Sequence, residues 1–154
     1  MIYTSTMQRA IESVQSFIDL KIPHEKFSEL DEISWGEFEG KEVTSHFRHE
    51  FKRIIEEWRS GNLDEKTPLG ESPNEMQQKH FRFINVIRSR PQKKILVCMH
   101  GRAIRILLCT LLNKPLNEMD EYPHHNLSLY RLTDDGKEFQ LTHFNDISHL
   151  HVEV

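Results

Sequence analysis

A histidine and a glycine stand where an apolar run of the chain changes into a helical pattern. Residues 95–99 are all apolar, His100 and Gly101 follow, and apolar side chains at helical spacing come next. This order predicts a buried strand that passes directly into a helix. Ligands of open α/β sheets bind at such corners, because the first free N–H groups of the helix point there. With Arg102 and Arg105 close behind, the corner predicts an anion site best suited to phosphate. An ordinary turn with an exposed histidine is the alternative.

A second corner of the same kind follows residues 2–4, a short β-prone run that passes at once into a helical pattern. Ser5 begins an S-x-x-Q capping box, which predicts the start of a helix that continues until Pro23. Arg9 falls in the first or second turn of this helix, so a phosphate-compatible side chain again lies just past a strand end. Pairing of Arg9 with Glu12 on a solvated helix face is the alternative.

Residues 30–40 read L-D-E-I-S-W-G-E-F-E-G, a predicted loop with four carboxylates and two glycines. Trp35 and Phe38 in this loop are expected to be packing residues. Nothing in the composition or spacing of the loop singles out one of its acids, which are Asp31, Glu32, Glu37 and Glu39.

The rest of the pattern predicts helices that alternate with strands. Ser72-Pro73-Asn74-Glu75 is a strong helix start, with an N-cap, a proline at the first position and a capping-box glutamate. Helices and strands in this alternation, with an antiparallel hairpin last, indicate one α/β domain over residues 1–154. Helices are predicted over 42–59 and 73–90, and the hairpin strands over 127–133 and 138–144.

The composition fits a globular domain of 154 residues with a formal net charge of -4. Interspersed charges argue against a nucleic-acid or membrane-surface protein, and no apolar run approaches the ~20 residues of a membrane span. The first residues lack the basic-then-apolar form of a signal peptide. Cys98 and Cys109 stand among apolar residues, as buried cysteines do in a reducing compartment. We therefore expect a cytoplasmic protein without nucleic-acid or membrane partners.

Several separated motifs of the chain are similar to those of one protein family. They are I-Y-T-S-T-M-Q-R-A, L-D-E-I-S-W-G-E-F-E-G, G-E-S-P-N-E, I-L-V-C-M-H-G-R-A-I-R and, near the end, N-D-I-S-H-L. On these motifs the chain resembles the histidine phosphatase superfamily, the phosphoglycerate mutase-like proteins, over nearly its whole length. The resemblance implies a three-layer α/β/α sandwich with a mostly parallel sheet, which acts on phosphate monoesters without a metal or cofactor. Only 29 residues separate Gly40 from Gly70, and this short cap, residues 41–69, favours the phosphatase branch over the mutases.

The resemblance implies a role for each matching residue. Arg9 would bind phosphoryl oxygens, His100 would be the second histidine of the phosphate pocket, and Glu32 would be the general acid that protonates the leaving alcohol. The expected ligand is a small phosphorylated substrate or inorganic phosphate. Further substrate contacts are expected from Ser5, Gly101, His124 and His125.

The resemblance also implies a residue that the chain does not contain. Members of the family begin with a strand that ends in Arg-His-Gly, and its histidine is the nucleophile that becomes phosphorylated. No Arg-His-Gly occurs in this sequence. We therefore expect a truncated family member, begun at an internal methionine, that lacks a central strand and is inactive in this form. A non-catalytic phosphate-binding pseudo-enzyme or scaffold is the alternative, and the exposed slot in the sheet predicts a homodimer formed through it.

A metal-dependent hydrolase that uses the surplus histidines is the last alternative. The sequence has ten histidines, and His46 and His49 are spaced to share one helix face. No carboxylate or cysteine is placed to complete a ligand set with them, so a solvated helix face is the better interpretation and no metal is expected. A lesser departure from the family is Lys79, where the helix after G-E-S usually carries arginine.

Overall fold

The structure, a computed structural model, describes residues 1–150. Short strands alternate with helices along the chain. The strands are β1 (Ile2–Thr4), β2 (His24–Lys26), β3 (Leu96–Cys98), β4 (Leu129–Asp134) and β5 (Phe139–Asp146). The α-helices are α1 (Gln8–Ser13), α2 (Gln15–Asp19), α3 (Ser45–Ser60), α4 (Pro73–Arg88) and α5 (Gly101–Leu111). Short 3₁₀ turns cover Ser28–Leu30, Gly36–Phe38 and Leu116–Glu121.

β1 is the central strand of a parallel three-stranded sheet in the order β2-β1-β3. In its register Ile2 lies opposite both His24 and Leu96. Parallel strands end at the same edge of a sheet, so the chain leaves β1 and β3 side by side. The backbone N–H of Ser5 accordingly donates to the carbonyl of Cys98 at 3.1 Å. The two corners predicted from the sequence are therefore neighbours, and the mixed α/β fold with a mostly parallel sheet is confirmed.

The other two strands form a separate sheet. β4 and β5 are an antiparallel hairpin, and the edge of β3 that faces away from β1 pairs with no strand among residues 1–150. Residues 95–99 are only half-buried although all five are apolar. The prediction of a buried strand was wrong in this respect, because a strand at an open sheet edge stays partly accessible to solvent.

The larger core packs the cap segment against the helix that follows His100. Trp58 of α3 is almost fully buried and lies in one cluster with Ile106 of α5. Trp35 stacks beside it, with its ring centroid 4.7 Å from that of Phe51 and 5.6 Å from that of Trp58. Phe38 packs edge-on against another aromatic ring of α3. The predicted packing role of Trp35 and Phe38 is confirmed, and the core fixes α3 relative to α5.

The two predicted helix starts have different outcomes. In α4 the hydroxyl of Ser72 accepts from the N–H of Glu75, and the Glu75 carboxylate accepts from the N–H of Ser72, which confirms that capping box. The box predicted at Ser5 is wrong, since α1 begins after Met7 and has no side-chain cap. The Ser5 hydroxyl contacts His100 instead. None of the helices in residues 1–150 combines the length and the apolar character that a membrane span requires.

Candidate active site

The imidazole of His100 joins the two corners. Its Nδ1 accepts a hydrogen bond from Nε of Arg9 at 3.2 Å, and its Nε2 lies 2.7 Å from Oγ of Ser5. A ring nitrogen that accepts a bond carries no proton, so the neutral ring has its hydrogen on Nε2 and donates it to Ser5. His100 is 7% exposed and Ser5 is fully buried. The side chains of Arg9, Ser5 and His100 therefore form one hydrogen-bonded cluster.

The surroundings of His100 favour its neutral form. Burial lowers the pKa of His100 below its ordinary value, and the positive charge of Arg9 lowers it further. The carboxylates of Glu32 and Asp31 act in the opposite direction without reversing the shift. A ligand that brought more negative charge to this point would favour protonation of the ring. Nδ1 of His100 can thus change from acceptor to donor when the local charge changes.

The carboxylate of Glu32 lies at the first turn of α5. Its Oε1 accepts from the N–H of Ala103 at 2.9 Å and from its neighbour Ile33 at 3.1 Å, and its Oε2 accepts from the N–H of Arg102 at 3.2 Å. The helix N–H groups were expected to face a bound anion, and a carboxylate of the chain itself takes that place. Glu32 is beside His100, as the motif implied, and in this structure it caps the helix.

Gly101 leaves the space in which the ring of His124 lies. A Cβ added at Gly101 would be 3.0 Å from Cδ2 of His124, which is closer than ordinary carbon–carbon contact. Burial lowers the pKa of His124, and the charge of Arg105 adds to this effect. Its Nδ1 is buried and has no hydrogen-bond partner among the described residues. The ring of His124 therefore covers the corner, and its unpaired Nδ1 is enclosed by the protein.

His125 lies apart from the cluster. It is exposed, its Nδ1 is 2.8 Å from Nδ2 of Asn145, and its backbone N–H donates to the hydroxyl of Ser128. Of the residues predicted to form the site, the structure brings together Arg9, Ser5, Glu32, His100, Gly101 and His124, and it leaves His125 outside.

Asp31 is a site residue that sequence reasoning did not find. Its carboxylate accepts from the backbone N–H of Thr6 at 2.7 Å and from the Thr6 hydroxyl at 2.8 Å. These bonds fix the segment between β1 and α1, from which Ser5 reaches His100. No local pattern points to this role, because Asp31 is one of four acids in a single loop.

The described residues show neither a metal cluster nor a reactive thiol. Within residues 1–150 no three His, Cys, Asp or Glu side chains are grouped closely enough to hold a metal ion. Burial raises the pKa of Cys98, and it raises the pKa of Cys109 to about 12. Both side chains are therefore neutral thiols at pH 7, which are poor nucleophiles.

A histidine, an arginine and a helix start lie together at the carboxyl ends of adjacent parallel strands, which is where open α/β sheets bind their ligands. Comparison with known proteins gives the family. Residues 1–147 match the sequence profile described as the histidine phosphatase superfamily (branch 1), and the chain belongs to that family. It is 24% identical over 150 residues to a Hydrogenobacter thermophilus protein named "Putative phosphoserine phosphatase 2", a match that covers 97% of this chain and 73% of that protein.

Solved structures of similar fold include two bacterial proteins. YhfR of Bacillus stearothermophilus is 26% identical, with a TM-score of 0.80 over 97% of this chain and 75% of that one. A mycobacterial glucosyl-3-phosphoglycerate phosphatase in complex with inorganic phosphate is 17% identical, with a TM-score of 0.81 over 98% of this chain and 79% of that one. These structures share the fold of the present chain.

Proposed function

We propose that the chain forms the phosphate pocket of a phosphomonoester hydrolase that works through a phosphohistidine intermediate. The observation that carries the proposal is the cluster in which a buried, neutral His100 is bound by Arg9 and Ser5 between two parallel strands. Relatives with phosphatase names support the same reaction class. The proposed substrate is a small phosphorylated molecule.

Each predicted side chain has a position that suits its proposed role. Arg9 is exposed and uses only its Nε on His100, so its terminal nitrogens can bind phosphoryl oxygens. The negative charge of a bound ligand would favour protonation of His100, and the protonated ring would donate a hydrogen bond to the transferring group. Glu32 would exchange its helix N–H donors for the substrate, take up a proton from water, and pass that proton to the leaving alkoxide.

The nucleophile is the part of this reaction that the 154 residues do not supply. The sequence contains no Arg-His-Gly, and both ring nitrogens of His100 are engaged by other side chains. We therefore expect the 154-residue polypeptide alone to bind phosphate without turning over a phosphomonoester. An added strand would pair with the open edge of β3, whose residues are only half-buried.

A complementation experiment tests the proposal. The purified polypeptide is assayed with p-nitrophenyl phosphate alone, with an apolar peptide of about ten residues that ends in Arg-His-Gly, and with a control peptide that ends in Arg-Gln-Gly. We expect turnover only with the histidine peptide, and its loss in the His100→Ala variant. Turnover by the polypeptide alone that His100→Ala abolishes would overturn the expected inactivity.

Phosphate binding without turnover under every condition would favour the pseudo-enzyme or scaffold. Titration calorimetry with inorganic phosphate measures this binding directly, and chelator with elemental analysis tests the metal-dependent alternative. The homodimer through the open edge of β3 stays a prediction that light scattering of the purified polypeptide checks. The cytoplasmic location likewise stays a prediction.

A further inference from the structure

Three arginines converge on one carboxylate beside the corner. Nη1 of Arg102 lies 2.6 Å from Oδ1 of Asp120, Nη1 of Arg105 lies 2.8 Å from the same oxygen, and Nε of Arg59 lies 3.0 Å from Oδ2. Arg59 has a second partner in Glu56, whereas Arg102 and Arg105 share Asp120 alone within residues 1–150. The cluster therefore holds more positive than negative charge, and the proposed reaction uses none of these groups.

Arg102 is the arginine that begins at the pocket itself. Its backbone N–H donates to Glu32, and its guanidinium lies over the ring of Trp58, 5.9 Å from the ring centroid. Asp120 holds Nη1, while Nε and Nη2 have no hydrogen-bond partner among the described residues. The side chain is 17% exposed, so it is partly accessible to solvent. An arginine held at one edge presents the other as a fixed pair of donors for a second carboxylate.

Asp120 acts as the fixed anion of the cluster. Burial on its own would raise the pKa of Asp120, but the arginines outweigh it, and the pKa lies below its ordinary value. Burial lowers the pKa of Arg102, because the buried guanidinium has lost hydration. The charge of Asp120 raises this pKa again, but only in part. A second carboxylate at the free edge of Arg102 would compensate the charge that Asp120 divides among three partners.

We propose that Arg102 binds a carboxylate of the substrate and that Asp120 positions its guanidinium for this contact. The inference rests on the proposed function, because a phosphoryl group between Arg9 and His100 would fix the substrate near the start of α5. The preferred ligand is then a phosphomonoester whose carboxylate lies within a few bonds of the phosphoryl group.

Matched ligands separate this inference from the proposed function. Phosphoglycolate and ethyl phosphate differ only in that a carboxylate replaces a methyl group, and 3-phosphooxypropanoate and propyl phosphate form a second pair with one more carbon. Their dissociation constants for the 154-residue polypeptide are measured by titration calorimetry. We expect at least one carboxylate ligand to bind about tenfold or more tightly than its partner, as charge-assisted hydrogen bonds to arginine do.

Substitutions at Arg102 test the assignment to this residue. We expect Arg102→Met to reduce the preference to about one, and Arg102→Lys, which keeps the charge without the planar fork, to leave an intermediate preference. Arg88→Met is the control, since Arg88 binds Asp134 on the hairpin. Equal binding within both ligand pairs, or a preference that survives in Arg102→Met, overturns the inference while the proposed function stands. Failure to bind any of the phosphate esters would overturn both.

Discussion

A buried histidine in α4 makes the stability of this protein depend on pH in a measurable way. His80 is fully buried, and neither of its ring nitrogens has a hydrogen-bond partner among the described residues. Burial lowers the pKa of His80 to about 3, and the adjacent charge of Lys79 adds to the effect. His80 therefore stays neutral in the folded protein, whereas in the unfolded chain its ring has the ordinary pKa of 6.5.

The difference between the pKa of His80 in the folded protein and in the unfolded chain sets how stability changes with pH. Because the pKa is lower in the folded state, the stabilising contribution is fully present above pH 6.5 and is lost as the pH falls toward 3. Between pH 7 and pH 5 the loss from His80 alone is about 2 kcal/mol of unfolding free energy. Replacing the ring by leucine removes the titration and also two unpaired buried nitrogens. His80→Leu should therefore be more stable at pH 7, by about 1 to 3 kcal/mol.

Urea unfolding at pH 7 and at pH 5 checks this prediction in the wild-type chain and in His80→Leu. Burial also lowers the pKa of His100 and of His124, so the wild type loses stability through them as well. The loss through these two histidines is the same in both proteins, so it cancels when the loss of stability of His80→Leu is subtracted from that of the wild type. His49→Leu, a change at an exposed position of α3, is the control. If His80→Leu loses as much stability as the wild type between the two pH values, the reasoning is wrong.

Three further predictions concern the pocket. Glu32→Ala should lower the free energy of unfolding by about 1 to 2 kcal/mol, measured by urea unfolding, because the N–H groups of α5 lose their acceptor. An equal loss in the exposed control Glu37→Ala would contradict this prediction. Ser5→Ala should cost about 1 to 3 kcal/mol by the same measurement, since it removes the buried partner of His100, and unchanged stability would argue against that bond. Sulfate binding at pH 7 should be accompanied by protonation of His100, because burial and Arg9 lower its pKa and the charge of sulfate would oppose this shift. Calorimetry in two buffers of different ionisation enthalpy should show proton uptake that His100→Gln abolishes.

The sequence predicted the features that depend on neighbouring residues. The start of α4 followed from Ser72 to Glu75, because a capping box is a local pattern of donors and acceptors. The corner at His100 followed from the change of periodicity around it. Arg9 was placed at a strand end in the same way, and the parallel pairing of β1 with β3 then brought it to His100.

The features that the sequence did not predict depend on contacts between distant segments. β2 (His24–Lys26) has no alternation of apolar and polar residues, and only its pairing with β1 makes it a strand. The hydroxyl of Ser5 could cap a helix or bind His100. The second contact joins residues 95 positions apart, so no local pattern predicts it. The pairing of Asp120 with Arg59 joins residues 61 positions apart, which no local pattern shows.

A phosphate ligand at the proposed site would have to replace hydrogen bonds that the chain makes with itself. Arg9 is held by His100, His100 is held by Ser5, and the first N–H groups of α5 are held by Glu32. Buried polar groups need partners, and these contacts supply them for His100, Ser5 and the first N–H groups of α5. A phosphate ion therefore gains only the difference between its hydrogen bonds and those it replaces. In the proposed site its advantage would be its charge, because a dianion would favour the protonated form of His100, whose Nδ1 would then no longer accept from Nε of Arg9.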